Sequence, residues 1–261
     1  MSRMLPIAVL AGLSASASGC GSATSAQTIH SANHAGSAPV PTALIAHSHP
    51  NRPASASIAR AQAQAFGRAV NLTVADVPGA IAYPREKKNH NETHNSREFD
   101  RCTGAQHVRE IAEVKSPRLQ RGKGVTSETF SSSVTISANA SLAFKEYTAV
   151  RSARVRACVT RVLRKRFLGK SLYEARYGSV AVGLPPIRIP GAEEGIALRF
   201  TTTVISPRTG RSIPIYTDQI GFVLGPAEIS LQTSSIVQPV ATTTEEQLLL
   251  LLLERAKANT P

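Results

Sequence analysis

The last third of the chain alternates between apolar and polar side chains, and this constrains the fold most. "GIALRFTTTVI" puts Ile196, Leu198, Phe200, Thr202 and Val204 on one face of an extended chain. "SIPIYTDQIGFVLG" runs from 212 to 225, and "AEISLQTSSIV" places Ile229 and Leu231 on one face. Gly225-Pro226 leaves the last two segments only a tight connection, so they pair as a hairpin. A further strand is read at "GSVAVGL", 178–184. A sheet of this kind buries one face and needs a cover.

The cover is legible as helices. In "RSARVRACVTRVL", Val155, Cys158, Val159, Val162 and Leu163 fall on one apolar stripe, within a helical region read from Ala140 to Leu168. Arg154, Arg161, Arg164 and Lys165 lie on the opposite side as a basic face. The chain closes with "TTTEEQLLLLLLERAKA". Thr243, Thr244, Glu245 and Glu246 supply an N-cap and first-turn acids, and Arg255 and Lys257 sit in the last turn. Six leucines are too few to span a bilayer, so this helix is expected to dock against the sheet. "SIARAQAQAFGRA", 57–69, predicts another helix with Ile58, Ala65 and Phe66 on its face and Gly67 weakening its end. Leu72 and Val74 then begin an extended segment before the turn Asp76-Val77-Pro78-Gly79. Residues 84–124 are polar and read as an exposed loop, with one short helix around Val108, Ile111 and Ala112. "FSSSVTIS", 130–137, is a strand. The fold class is α+β: an antiparallel meander sheet covered by helices.

The opening is a leader. Met-Ser-Arg is followed by an apolar run, Met4–Leu13, and then by small residues up to Cys20. Ala17-Ser18-Gly19-Cys20 resembles the lipobox of bacterial lipoproteins, with Ala17 where leucine is usual. That resemblance implies a diacylglyceryl group on Cys20 and cleavage just before it. The alternative is an ordinary signal peptide with an incidental cysteine. Two acyl chains, at about 0.8 kcal/mol per buried methylene, would anchor the chain stably. The division is a signal peptide at 1–19, a flexible Ala/Ser/His/Pro-rich tether at 20–56 and one α+β domain at 57–261. This places the protein at the cell membrane, lipid-anchored on the extracytoplasmic side, as a monomer.

Two cysteines remain, Cys102 and Cys158. In an exported chain such a pair reads as a disulfide; the alternative is two free buried thiols. The formal charge is +13, and residues 85–170 carry most of it, with nineteen Lys/Arg against eight Asp/Glu. Export turns this excess away from nucleic acid and toward anionic envelope surfaces, with a merely solvated face as the equal alternative.

"AFGRAVNLTVADVPG", a cysteine, "SPRL", "FSSSVTI", the helix of "RSARVRACVTRVL", "IGFVLGPAEISL" and a leucine-rich closing helix form one layout. It is similar to exported actinobacterial lipoproteins with PknH-like extracellular sensor domains. That resemblance implies a PsbP-like α/β/α sandwich, a Cys102–Cys158 disulfide and a cleft for an unknown ligand. It implies no catalytic residues.

No nucleophile elbow, zinc-protease helix, Walker loop or dinucleotide fingerprint is present, so no enzyme is expected. No cofactor or metal is expected either. His30, His34, His47 and His49 sit in the tether without a completing ligand, and His90 and His94 in the polar loop. Glu193-Glu194 reads as a solvated turn. Asp218 stands out. It shares strand parity with Tyr216, Ile220 and Phe222, so covering that face buries an acid that needs a partner. An arginine of the basic helix is the expected partner, and Asp218 with Tyr216 is the candidate ligand contact. Two functions follow. One is a lipid-anchored binding or sensing module for a small molecule or wall fragment. The other is an envelope interaction protein that uses the basic face for an anionic polymer or a partner.

Overall fold

A computed structural model describes residues 52–83, 101–102, 110–138, 149, 151–168, 171–172, 175–189, 195–207 and 209–259. Cys20, the leader, the tether up to residue 51, all seven histidines and Glu193-Glu194 lie outside them.

Three long helices and nine strands are described. The helices are α1 (Arg52–Val70), α2 (Ala153–Phe167) and α3 (Thr242–Ala258). The strands are β1 (Ile81–Tyr83), β2 (Glu110–Lys115), β3 (Arg118–Arg121), β4 (Glu128–Ser137), β5 (Ser171–Leu172), β6 (Ala175–Gly183), β7 (Gly195–Ile205), β8 (Ser212–Leu224) and β9 (Ala227–Ile236). All join one antiparallel sheet in the order β1-β3-β4-β9-β8-β7-β6-β5, with β2 also paired to β4. The second half is the expected meander. Leu224 pairs with Ala227 across a two-residue connection, and Gly225 takes φ 56°, which a side chain disfavours.

Register assigns the faces. Phe130, Val134 and Ile136 of β4 share a face with Ile229 and Leu231 of β9 and with Ile220 and Phe222 of β8. These form one core with Phe66 and Val70 of α1 and with Leu249 and Leu252 of α3. Ile196, Leu198 and Phe200 of β7 point the other way. They form a second core with Val180 of β6 and with Val155, Val159, Leu163 and Phe167 of α2. The sheet is therefore covered on both sides, which is the expected α/β/α sandwich. On the α2 side β4 and β9 present hydroxyls instead, such as Ser133 and Ser230 at 2.7 Å. This limits the second core to β6 and β7.

Four readings of the first half are corrected. The segment holding Ile111 and Ala112 is strand β2 and not a helix, because pairing with β4 overrides a chance helical spacing. The polar region expected as a loop thus supplies β2 and β3, which share one edge of β4 on either side of Ser116-Pro117. Proline cannot donate there, and the Ser116 hydroxyl accepts the Ser132 N–H at 2.8 Å. Leu72 is not followed by an extended segment. Residues Val74–Asp76 turn in a 3-10 helix whose Thr73 N–H donates to Asp76 at 2.7 Å. Ala65 faces solvent, and the buried face of α1 is Ala63, Phe66 and Val70.

Gly67 has a different role from the one expected. A Cβ there would lie 2.6 Å from Val114 Cβ, so the glycine lets α1 approach β2. Gly67→Ala is expected to destabilise the fold by about 1–3 kcal/mol despite its better helix propensity. A denaturant melt with an unchanged midpoint would count against this close approach.

The candidate functional site

The site is built on one row across the sheet. Arg199 of β7 lies directly opposite Asp218 of β8, and Asp218 lies opposite Thr233 of β9. All three point toward the α1/α3 side. After β9 the chain turns through Val237 at φ 74°, and the Ser235 hydroxyl donates to the Gln238 carbonyl at 2.6 Å. This turn sets α3 down with Glu245 over Thr233.

Asp218 is buried as expected, but its partner is not on the basic helix. That helix, α2, lies on the opposite side of the sheet from Asp218. Arg199 takes the place instead. Its Nε donates to Asp218 Oδ1 at 2.8 Å and its Nη2 to Oδ2 at 2.5 Å, a bidentate pair. The Asp218 side chain is 1% exposed and that of Arg199 20%. The hydrogen bonds that Arg199 donates to Asp218 hold the Arg199 pKa above its usual value against the opposing effect of burial. Tyr216, the other expected contact, is half-buried on the same face and adds to that field.

Glu245 is the residue that sequence reasoning missed. The sequence places it only as a first-turn acid of the closing helix. In the structure α3 begins after Ala241 without a side-chain cap, and Glu245 is completely buried. The Thr233 hydroxyl donates to Glu245 Oε1 at 2.5 Å. Among the described residues Glu245 Oε2 has no donor, since its neighbour Asp218 is itself an acceptor. A proton on Glu245 resolves the conflict by donating to Asp218. Burial pushes the Glu245 pKa up to about 8, and Asp218 adds to the shift while Thr233 and Arg199 oppose it. One guanidinium thus supports one carboxylate, and the second carboxyl stays neutral at neutral pH.

A second ion pair holds the far end of α3. Arg255 donates to Asp76 at 2.9 and 2.7 Å and to the Asn71 carbonyl at 3.1 Å. Burial pushes the Asp76 pKa up, but the Arg255 and Thr73 donors outweigh it and leave it below the usual carboxylate range. The expected basic residue of the last turn therefore serves as a clamp between α3 and the exit of α1.

The other predicted groups lie apart from this cluster. Arg154, Arg161, Arg164 and Lys165 are all exposed on α2. Cys102 and Cys158 form a disulfide with Cα atoms 5.5 Å apart, fixing the segment at Cys102 onto α2 beside the second core. Among the described residues, no helix is long and apolar enough to cross a membrane.

Neither a protein-family profile nor a curated protein sequence matches the chain. Among solved structures, the chain is similar to the extracellular domain of PknH from Mycobacterium tuberculosis. Identity is 11%, 75% of this chain and 97% of that chain are covered, and the TM-score is 0.33. The likeness is distant, and no property of that protein passes to this one through it.

Proposed function

We propose that this chain is an extracytoplasmic lipoprotein, anchored through Cys20, whose domain binds or senses a ligand and is not an enzyme. The observation that carries the reading is the Cys102–Cys158 disulfide. It uses both cysteines of the domain in a bond that is typical of oxidising compartments and rare in the cytosol, and it leaves Cys20, behind a leader, as the one acyl acceptor. The Arg199–Asp218–Glu245 cluster supports a sensing role. Buried charge is costly, and a second carboxyl beside an ion pair adds cost without adding an attraction.

The test is a native mass spectrum of protein extracted from its host membrane, followed by a denatured spectrum. A chain beginning at Cys20 with added acyl mass is expected, together with mass present only in the native spectrum. A mature chain without acyl mass would make this a secreted protein.

A second reading has its own observation. Helix α2 carries six Lys/Arg in fifteen residues and no acid. This favours an electrostatic contact with an anionic envelope surface, which weakens as salt rises.

A further inference from the structure

Not every charge of α2 serves the helix. Arg164, Lys165 and Arg166 in the last turn suit the helix dipole, but Arg154 and Arg156 stand in the first turn, where no acid is present and the dipole disfavours cations. Arg161 and Lys165 are four apart and repel each other. At 100° per residue, Arg154, Arg161 and Lys165 fall within about 40° of one another, centred about 140° around the helix from the stripe of Val155, Val159 and Leu163. They form a straight ridge about 16 Å long on the exposed side of the helix. Leu168 follows on the same side and is 41% exposed.

We propose that α2 is a second membrane contact: its cationic ridge rests on the anionic headgroups of the bilayer that holds the acyl anchor. The proposal rests on the anchored reading above. A convex ridge fits a plane better than it cradles a polymer, and exposed Leu168 gains only from a surface with an apolar interior. The membrane is also the partner always within reach. About 30 residues separate Cys20 from α1, so even a fully extended link keeps the domain within about 110 Å of the bilayer. One lipid group with a basic patch is a recurring two-part anchor.

The test removes the anchor and reads the ridge alone. The full chain with Cys20→Ser, its Cys102–Cys158 bond verified by mass, is sedimented with phosphatidylcholine vesicles, with and without phosphatidylglycerol. Binding to the anionic vesicles only, and less of it at higher salt, is expected. The triple variant Arg154→Gln/Arg161→Gln/Lys165→Gln is expected to lower partition about a hundredfold, at about fivefold per charge. Arg68→Gln/Lys123→Gln/Arg211→Gln removes the same net charge elsewhere and is expected to stay within about fivefold of the parent. Equal losses in the two triples, equal binding to zwitterionic vesicles, or tighter binding to a soluble phosphodiester polymer than to vesicles would each overturn the proposal. If the ridge triple melts early, Arg161→Gln alone reads the single fivefold step. Acylation is read separately by mass, so failure of the anchor and failure of the ridge are distinguishable.

Discussion

Raising the pH from about 5 to about 8 is expected to destabilise the protein, and Glu245→Gln is expected to remove most of that loss. In the unfolded chain the Glu245 carboxyl titrates near 4.5; in the fold burial moves it to about 8. Between those values the native state holds a proton that the unfolded state has released, so stability falls as pH rises. The contribution is whole below about 4.5, declines by up to about 1.4 kcal/mol per pH unit, and levels off above about 8. The groups facing the carboxyl set this outcome. Thr233 comes from β9, Asp218 from β8, and Arg199 from β7, whose charge Asp218 already occupies. Glutamine copies the protonated acid. It accepts from Thr233, donates to Asp218 and does not titrate. The comparison is between denaturant melts of parent and variant at pH 5, 6, 7 and 8. A flat parent profile, or a variant that keeps the parent slope, would show that Glu245 does not hold the proton. Asp76 acts in the opposite sense. Its lowered pKa gives stability above about 4 that is lost in acid, as Arg255 loses its partner charge.

Opening the Cys102–Cys158 bond is expected to cost about 4 kcal/mol, the chain entropy returned to an unfolded loop closed across 56 residues. For a domain of this size that lowers the melting temperature by about 10 °C. The loss should be local in origin, because the two cores lie on opposite faces of the sheet and the bond touches only the α2 core. Hydrogen exchange after reduction is therefore expected to quicken first in α2, β6 and β7, with α3 and β9 protected longest. An unchanged melting midpoint on reduction would mean that the bond adds nothing to the fold. Exchange that quickens evenly would mean that the two cores open as one.

Most of the second half of the fold was legible where one period runs, although the helix within the region read from Ala140 begins at Ala153, capped by Ser152. β7, β8 and β9 alternate by two, and α2 repeats its stripe at 3.6, so each face could be read from local sequence. The first half lacks that redundancy. Ile111 and Ala112 fit a helical spacing as readily as a strand, and only the β4 edge decides between them. The candidate site was half legible. Asp218 shows its parity, but Arg199 has the parity of the face opposite Leu198 and Phe200, which reads as solvent until both faces are known to be covered. The hairpin offered a signal. A β7–β8 connection centred near Thr209 pairs Arg199 with Asp218 by register alone. Glu245 offered none, since a first-turn acid has the same local sequence whether it faces water or a threonine beneath it.

The position of β4 has a consequence for when the protein can fold. β4 lies between β3 and β9, and Ser133 meets Ser230 across 97 residues. Residues up to β4 present Phe130 and Val134 with nothing on the far edge to complete the layer that covers them. Their neighbours β8 and β9, and the leucines of α3, come from the last part of the chain. A growing chain therefore cannot close the α1/α3 core until its end is available, and contacts this distant form slowly. The α2 core, whose residues end at Phe200, needs none of that late chain, so the two faces of the sheet become coverable at different times.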